Sequence, residues 1–263
     1  MLRAGAVTQT NLVQIDGVLG VEKRLTARFA EDPELRERLV TEARIVAALS
    51  GRGAPRLLAL GEDAQGPWFV MEHRDMRSLA DRMDTWGDAP SAARVSFVDQ
   101  LVAPSFAALE AVHRASDSAG PLLVVHGDVS PDNVLASDDA ASSVLVDFGL
   151  AHFRDAPAST VGAFRGTARY VAPEVARGEP PRPDSDRFSL ALTLLHAATG
   201  EPPRAHTNTA ALIAAAGSAP VTAFAERATR GMSGGSAALL LGSVALAPED
   251  RSPRLPEAPR TGS

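Results

Sequence analysis

Three short blocks carry most of the chemistry in this sequence. They are His126-Gly127-Asp128-Val129-Ser130-Pro131-Asp132-Asn133, then Asp147-Phe148-Gly149, then Ala172-Pro173-Glu174. Asp128 offers a carboxylate that can accept a proton from an attacking hydroxyl. Asn133 and Asp147 offer oxygen ligands of the kind Mg²⁺ prefers, and Mg²⁺ held by one or two such groups completes its shell with phosphates. A base and two oxygen ligands suit phosphoryl transfer from ATP, where positioning and charge neutralisation carry most of the rate.

Such a site also needs a cation. Lys23 is the only lysine in the chain, and every other side chain with a fixed positive charge is arginine. A compact ammonium on a flexible stem fits a slot that the wide planar guanidinium does not. The next element downstream begins at Asp32-Pro33-Glu34, an N-cap acid, a proline at the first helical position and an acid in the first turn. Leu35, Leu39, Ala43 and Val46 follow at near-helical spacing, and Gly51 supplies the stop. Glu42 falls near the middle of this helix, beside its apolar edge.

These motifs, in this order, resemble the eukaryotic-type (Hanks-type) bacterial Ser/Thr protein kinase family. Asp128 precedes Asn133 by five residues, as the catalytic-loop Asp precedes the metal-binding Asn in that family. Gly166-Thr167-Ala168-Arg169-Tyr170 stands just ahead of Ala172, and Val21-Glu22-Lys23 resembles the lysine-bearing third strand. The resemblance implies an α+β, two-lobed fold, a small antiparallel sheet with one helix followed by a mainly helical lobe. It implies catalytic roles for Asp128, Lys23, Asn133 and Asp147, with Asn133 and Asp147 on Mg²⁺ and a Lys23–Glu42 ion pair. Met71 would stand at the back of the adenine pocket, the backbone of Glu72 and Arg74 would bond the adenine edge, and Val21 and Leu135 would sandwich the ring. Thr167 would meet the catalytic Asp through its hydroxyl, a feature that favours a Ser/Thr acceptor over Tyr. Phe148 would pack under the Glu42 helix, His126 against Phe148, Glu174 would pair with Arg251, and Asp186 would steady the catalytic loop.

Four positions depart from the family pattern. The glycine-rich phosphate loop would fall on Gly5 to Leu12, where only Gly5 is kept and Val7 and Thr10 replace the other glycines. Glycine there lets backbone amides approach phosphates closely, so weaker or altered ATP binding is expected. Gly127 stands where the family carries an Arg that grips a phosphate on the activation loop, so phosphorylation of Ser159 or Thr160 is not expected to be the main on-switch. Ser130 replaces a lysine that neutralises the γ-phosphate, a loss that Arg165 or Arg169 would have to offset. These departures keep two other functions in view, a pseudokinase acting as a nucleotide-binding or scaffold module and a small-molecule phosphotransferase of the aminoglycoside or choline kinase type.

The rest of the chain sets bounds. A length of 263 residues with 45% hydrophobic content supports one large domain or two lobes with a real core. No cysteine is present, which excludes disulfides and thiolate metal sites and fits a cytoplasmic location. A net charge of −6 argues against nucleic acid or an anionic membrane as the main partner. The most apolar stretch reads as Ala237 to Ala247, too short for a span, so any signal is expected to arrive from the cytoplasmic side.

The expected organisation is an N-lobe over residues 1–74, a C-lobe over 75–247 and a Pro-rich tail over 248–263. Leu12–Leu25 reads as a hairpin turning at Asp16-Gly17, and Arg56–Leu60 and Trp68–Glu72 read as strands. Pro104 is expected to kink or break a helix over Ser91–Ala115. Leu122–Val125 and Ser143–Val146 are expected to be short strands flanking the catalytic loop, and Asp184–Gly200 a buried helix.

Overall fold

The computed structural model describes residues 3–4, 7–86, 91–154 and 166–251. The first layer is a five-stranded antiparallel sheet, ordered β1-β2-β3-β5-β4, built from β1 (Arg3–Ala4), β2 (Thr8–Ile15), β3 (Val18–Leu25), β4 (Leu57–Asp63) and β5 (Gly66–Glu72). The hairpin between β2 and β3 turns at Asp16 and Gly17, with φ of 49° and 80°, and Ile15 faces Val18. A two-residue loop with both residues left-handed matches the twist of the flanking strands, and Asp and Gly tolerate that conformation best. β2 starts at Thr8, earlier than the expected Leu12, so most of the stretch assigned to a phosphate loop is strand. β1 is two residues long and pairs with Gln9 and Thr10.

One helix, α1 (Pro33–Leu49), covers this sheet. The Asp32 carboxylate accepts hydrogen bonds from the amides of Glu34 (3.0 Å) and Leu35 (3.1 Å). This satisfies two amides that a helix start otherwise leaves without partners. Leu39, Ala43, Ile45, Val46 and Leu49 are buried against the sheet, and so is Glu42. The helix ends on Ser50 and Gly51, both left-handed.

His73–Met76 link this layer to a mainly helical one. That second layer comprises β6 (Arg77–Ser78), α2 (Leu79–Trp86), α3 (Ser91–His113), β7 (Ser116–Asp117), β8 (Gly120–Pro121), β9 (Val134–Ala136), β10 (Ser143–Leu145), α4 (Pro173–Ala176), α5 (Pro183–Thr199), α6 (Thr209–Ser218), α7 (Thr222–Ala228) and α8 (Gly234–Ser243). α5 is buried on all sides, with Phe188, Leu190, Ala191, Leu192, Leu194 and Leu195 inaccessible to solvent, and it ends on Gly200 at φ 74°. It packs along α3, whose Val98, Leu101, Val102, Phe106, Leu109 and Val112 are also buried.

Two expectations fail here. Of the kink or break expected at Pro104, the break does not occur, since α3 continues through it. Pro removes one helical hydrogen bond at a cost of about 3 kcal/mol, and the buried side chains flanking it offset that at about 1.5–3 kcal/mol each. Leu122–Val125 is not a strand. Leu123 is left-handed (φ 55°) and exposed, which interrupts the extended run, and only an isolated bridge between Val125 and His152 remains. β10 does form, and it joins β9 and β6 in a small antiparallel sheet. Among the described residues α3 is the single helix long and apolar enough to cross a membrane, and α6 and α7 would qualify only together, as a pair bent by 93°. Here α3 serves as a central core helix of the second layer.

The expected tail also begins inside the packed body. Pro248–Asp250 form a 3₁₀ turn, and Arg251 is 4% exposed. Its guanidinium makes two parallel hydrogen bonds to Glu174, at 2.7 and 2.8 Å, and lies 4.8 Å from the centre of the Phe188 ring. Ser185 donates a third bond to Glu174 at 2.6 Å. Burial works against the Glu174 charge, but these donors outweigh it and hold its pKa below the usual 4.5. The pair ties α4, the start of α5 and the chain beyond α8 to one point. Removing one member of a fully buried pair leaves the other uncompensated. Glu174→Ala should therefore lose about 3–5 kcal/mol in urea unfolding. The wild-type contribution should be complete above the ordinary Glu range and disappear as pH falls through the lowered pKa. A loss under ~1 kcal/mol would contradict a buried ion pair and fit an exposed one.

Candidate active site

The two layers enclose a cavity of about 520 Å³, within the usual range for a small-molecule site. Its wall brings together Lys23, Asp128, Asn133 and Asp147 with Val21, Met71, Glu72, Arg74 and Leu135. The expected cofactor-side residues therefore share one space, except Glu42, which lies behind Lys23, and Gly5, which lies outside the described residues.

Lys23 is placed by β3, opposite Phe69 on one side and Thr10 on the other. Its ammonium lies 2.7 and 2.8 Å from the two oxygens of Glu42 and 2.8 Å from Oδ1 of Asp147. The Lys23 and Glu42 side chains are 5% and 3% exposed, while that of Asp147 is 54% exposed. Burial works against the Lys23 charge, but Glu42 and Asp147 outweigh it and raise its pKa above the usual value. Burial also pushes the Glu42 carboxyl upward, opposed by Lys23. For Asp147, Lys23 more than offsets partial burial and holds the carboxyl below its usual range. The amide of Phe148 donates to Glu42 at 3.1 Å, so Glu42 holds the Asp147–Gly149 segment through its backbone as well as through Lys23. Phe148 itself is buried in the core. Asp147 has φ 64°, a left-handed conformation that costs a non-glycine residue energy and is typical of functional sites.

The loop that carries Asp128 hangs from Asp186 on α5. The Asp186 carboxylate accepts from the amides of His126 (2.7 Å) and Gly127 (3.0 Å) and lies 2.9 Å from Nε2 of His113. Burial opposes its charge, yet these contacts keep the carboxyl below its usual range. The His126 ring packs on Phe148 with centroids 4.8 Å apart, and its Nε2 meets the carbonyl of Val146 at 3.0 Å. His113 was not legible as part of this site. It belongs to no motif, and only the packing of α3 on α5 brings it to Asp186.

Asp128 is held on both oxygens. The Thr167 amide donates to Oδ1 at 2.8 Å, and Asn133 Nδ2 lies 3.2 Å from Oδ2 and 2.9 Å from the Asp128 carbonyl. The expected contact from Thr167 is thus made by its backbone amide and not its hydroxyl. With Asn133 Nδ2 engaged on Asp128, the amide oxygen is the end left to act as a ligand. One amide oxygen and one half-exposed carboxylate on the same cavity wall form a hard donor set that fits Mg²⁺. Among the described residues no group of three or more His, Cys, Asp or Glu side chains could hold a metal alone, so Mg²⁺ here would depend on phosphate oxygens.

On the adenine side the Glu72 amide is engaged with the Arg56 carbonyl at 2.8 Å, so any adenine contact at Glu72 falls to its carbonyl. Arg169 does not replace the missing cation at Ser130. It does not line the cavity, and its guanidinium donates to the carbonyl of Arg204. Ser130 is 1% exposed, and Arg165, Ser159 and Thr160 lie outside the described residues. Thr10, at one of the replaced glycine positions, lines the cavity together with Thr8, which no motif singles out.

Gly127 has φ 78°, and a β-carbon added there would lie 2.9 Å from the carbonyl oxygen of Leu150. Both the conformation and the space favour glycine. Gly127→Ala should lower stability by about 1–3 kcal/mol in urea unfolding, with Gly127→Arg at least as severe. An unchanged midpoint in both variants would show that the loop relaxes freely at this point.

Comparison with known proteins agrees with this geometry. Residues 12–234 match the protein kinase domain. The chain is 34% identical over 182 residues to serine/threonine-protein kinase PknL of Mycobacterium bovis, covering 69% of this chain and 43% of that protein. It is 34% identical over 188 residues to serine/threonine-protein kinase PknB of Mycolicibacterium smegmatis, covering 69% of this chain and 28% of that protein. It thus spans less than half the length of these relatives. Among solved structures it resembles the PknI kinase domain of Mycobacterium tuberculosis, with a TM-score of 0.58 and 25% identity over 96% of this chain and 88% of that one. With its α+β two-layer architecture and the residues gathered in its cleft, the chain belongs to the protein kinase domain family.

Proposed function

We propose that this chain is a serine/threonine protein kinase that transfers the γ-phosphoryl group of ATP to a protein hydroxyl, with Mg²⁺ as cofactor. One observation carries the reading. The Lys23 ammonium, backed by Glu42, meets Asp147 in the same cavity that holds Asp128 and Asn133. The relatives named as serine/threonine-protein kinases support the choice of acceptor.

The residues divide the work. Lys23 places a fixed positive charge at the inner wall, where the α- and β-phosphates would lie. Asn133 and Asp147 would hold Mg²⁺ through one oxygen each. When bound, that ion neutralises charge on the β- and γ-phosphates. Asp128 presents a carboxylate to the acceptor hydroxyl and can take its proton as the new P–O bond forms and the bond to ADP breaks. Thr167 and Asn133 bind its two oxygens from different sides, which fixes its orientation before the substrate arrives. No lysine stands at position 130 to add a second charge near the γ-phosphate, and a modest turnover is expected. A reaction that consumes ATP, and a chain with no cysteine, point to the cytoplasm, with no nucleic acid or membrane as the main partner.

Transfer from γ-labelled ATP with Mg²⁺ to itself or a generic protein tests this. Asp128→Ala should lower the rate by ~10²–10⁴-fold, and Lys23→Met should abolish most of the remainder. Mg-ATP at a hundred times its Kd should stabilise the wild type by about 2.7 kcal/mol. Stabilisation without transfer to any protein would favour the nucleotide-binding scaffold. Phosphorylation of amino alcohols or aminoglycosides in place of proteins would favour the small-molecule enzyme.

A further inference from the structure

Beside the transfer site stands a group of cations that the chemistry above does not use. The Thr167 amide holds Asp128, and a tight turn from Thr167 to Tyr170 presents Arg169 two residues further on. Arg169 donates from its guanidinium to the Arg204 carbonyl, and Arg204 donates back to the Arg169 carbonyl at 2.8 Å. Arg204 is 5% exposed, and its Nε and Nη2 have no hydrogen-bond partner. Its aromatic neighbour is Phe188, 5.8 Å away. His196 lies alongside, with Nδ1 2.7 Å from the Tyr170 hydroxyl, and Arg94 stands beyond it, 5.2 Å from the Trp86 ring.

Electrostatics marks these groups as one patch. Burial, then the charges of Arg169 and Arg94, push His196 down to about 4, so it is neutral at pH 7. Burial lowers Arg204 to about 10, which leaves it charged. Asp132 also influences Tyr170, but it has interactions of its own. Among the described residues Arg94, Arg169 and Arg204 form no ion pair, whereas Arg24, Arg187 and Arg251 each hold a carboxylate. A chain of net charge −6 has acids to spare, so three arginines without an ion pair near the turn that holds Asp128 are not a by-product of composition.

A guanidinium charge with no carboxylate paired to it gains from a nearby anion. Arg169 and His196 are partly exposed and can meet one directly, while Arg204 adds its charge from behind. Building on the kinase reading, we propose that Arg169, backed by Arg204 and flanked by His196 and Arg94, is a subsite for an anionic side chain, carboxylate or phosphate, lying within a few residues of the acceptor hydroxyl. The chain would therefore select acceptor segments rich in acid and disfavour basic ones.

The test uses serine-centred peptides with Glu, Gln or Lys at the three positions on either side. Transfer is measured as kcat/KM with Mg-ATP, and binding is measured separately by fluorescence anisotropy. The Glu peptide should exceed the Lys peptide by about tenfold or more in both, mainly through KM, and high salt should shrink the gap. Arg169→Glu should abolish or reverse the ratio, and Arg169→Gln should reduce it if the charge reversal impairs folding. Phosphoserine outperforming Glu at the same positions would assign the anion to phosphate. Transfer that treats Glu and Lys peptides alike, or a Glu preference that survives in both Arg169 variants, overturns the subsite while leaving the kinase reading intact. Tighter binding of the Glu peptide with no transfer to any peptide would uphold the subsite and sink the kinase reading.

Discussion

A single ammonium shared by two carboxylates holds the cleft together. Lys23 comes from the sheet, Glu42 from α1 and Asp147 from the segment after the small sheet of the second layer, so one cation joins three parts of the chain far apart in sequence. The bond from the Phe148 amide to Glu42 makes the arrangement cooperative. Moving α1 away would leave the Lys23 ammonium, the Phe148 amide and the Glu42 carboxylate short of partners at once. Unpaired buried groups of this kind are expensive. The position of α1 and that of Asp147 are thus tied together.

Behind the cleft the same principle recurs around α5. Asp186 near its start accepts two catalytic-loop amides and meets His113, and Glu174 just before it takes the Arg251 guanidinium and the Ser185 hydroxyl. Both are carboxylates with nearly all their capacity used in places water does not reach. Apolar packing along α3 and α5 supplies the bulk of the core. The polar anchors decide how the loops that carry chemistry are seated on it.

Much of this was readable from residue types. The cap at Asp32, the turn at Asp16-Gly17 and the ends of α5 follow from local rules and stand as expected. So do the Lys23–Glu42 and Glu174–Arg251 pairs and the hold of Asp186 on the catalytic loop, which came from resemblance and not from pattern. Local rules failed where tertiary contacts won. Burial on both sides of Pro104 keeps α3 whole, and one left-handed residue, Leu123, undoes an apolar run that otherwise reads as a strand. His113, His196 and Arg204 had no local signal at all, since their partners are set by helix packing. The Thr167 contact was placed on the right residue and the wrong atom, because a hydroxyl and a backbone amide at one position are indistinguishable in a string of letters.

The glycine at 127 has an effect beyond sparing the backbone from strain. A position with only hydrogen on its α-carbon has nothing with which to reach outward and feel a neighbour's charge. The loop that carries Asp128 is therefore moored from the rear, through Asp186, and carries no sensor of its own at that point. Its geometry there is built in by folding, through the bonds that the His126 and Gly127 amides donate to Asp186.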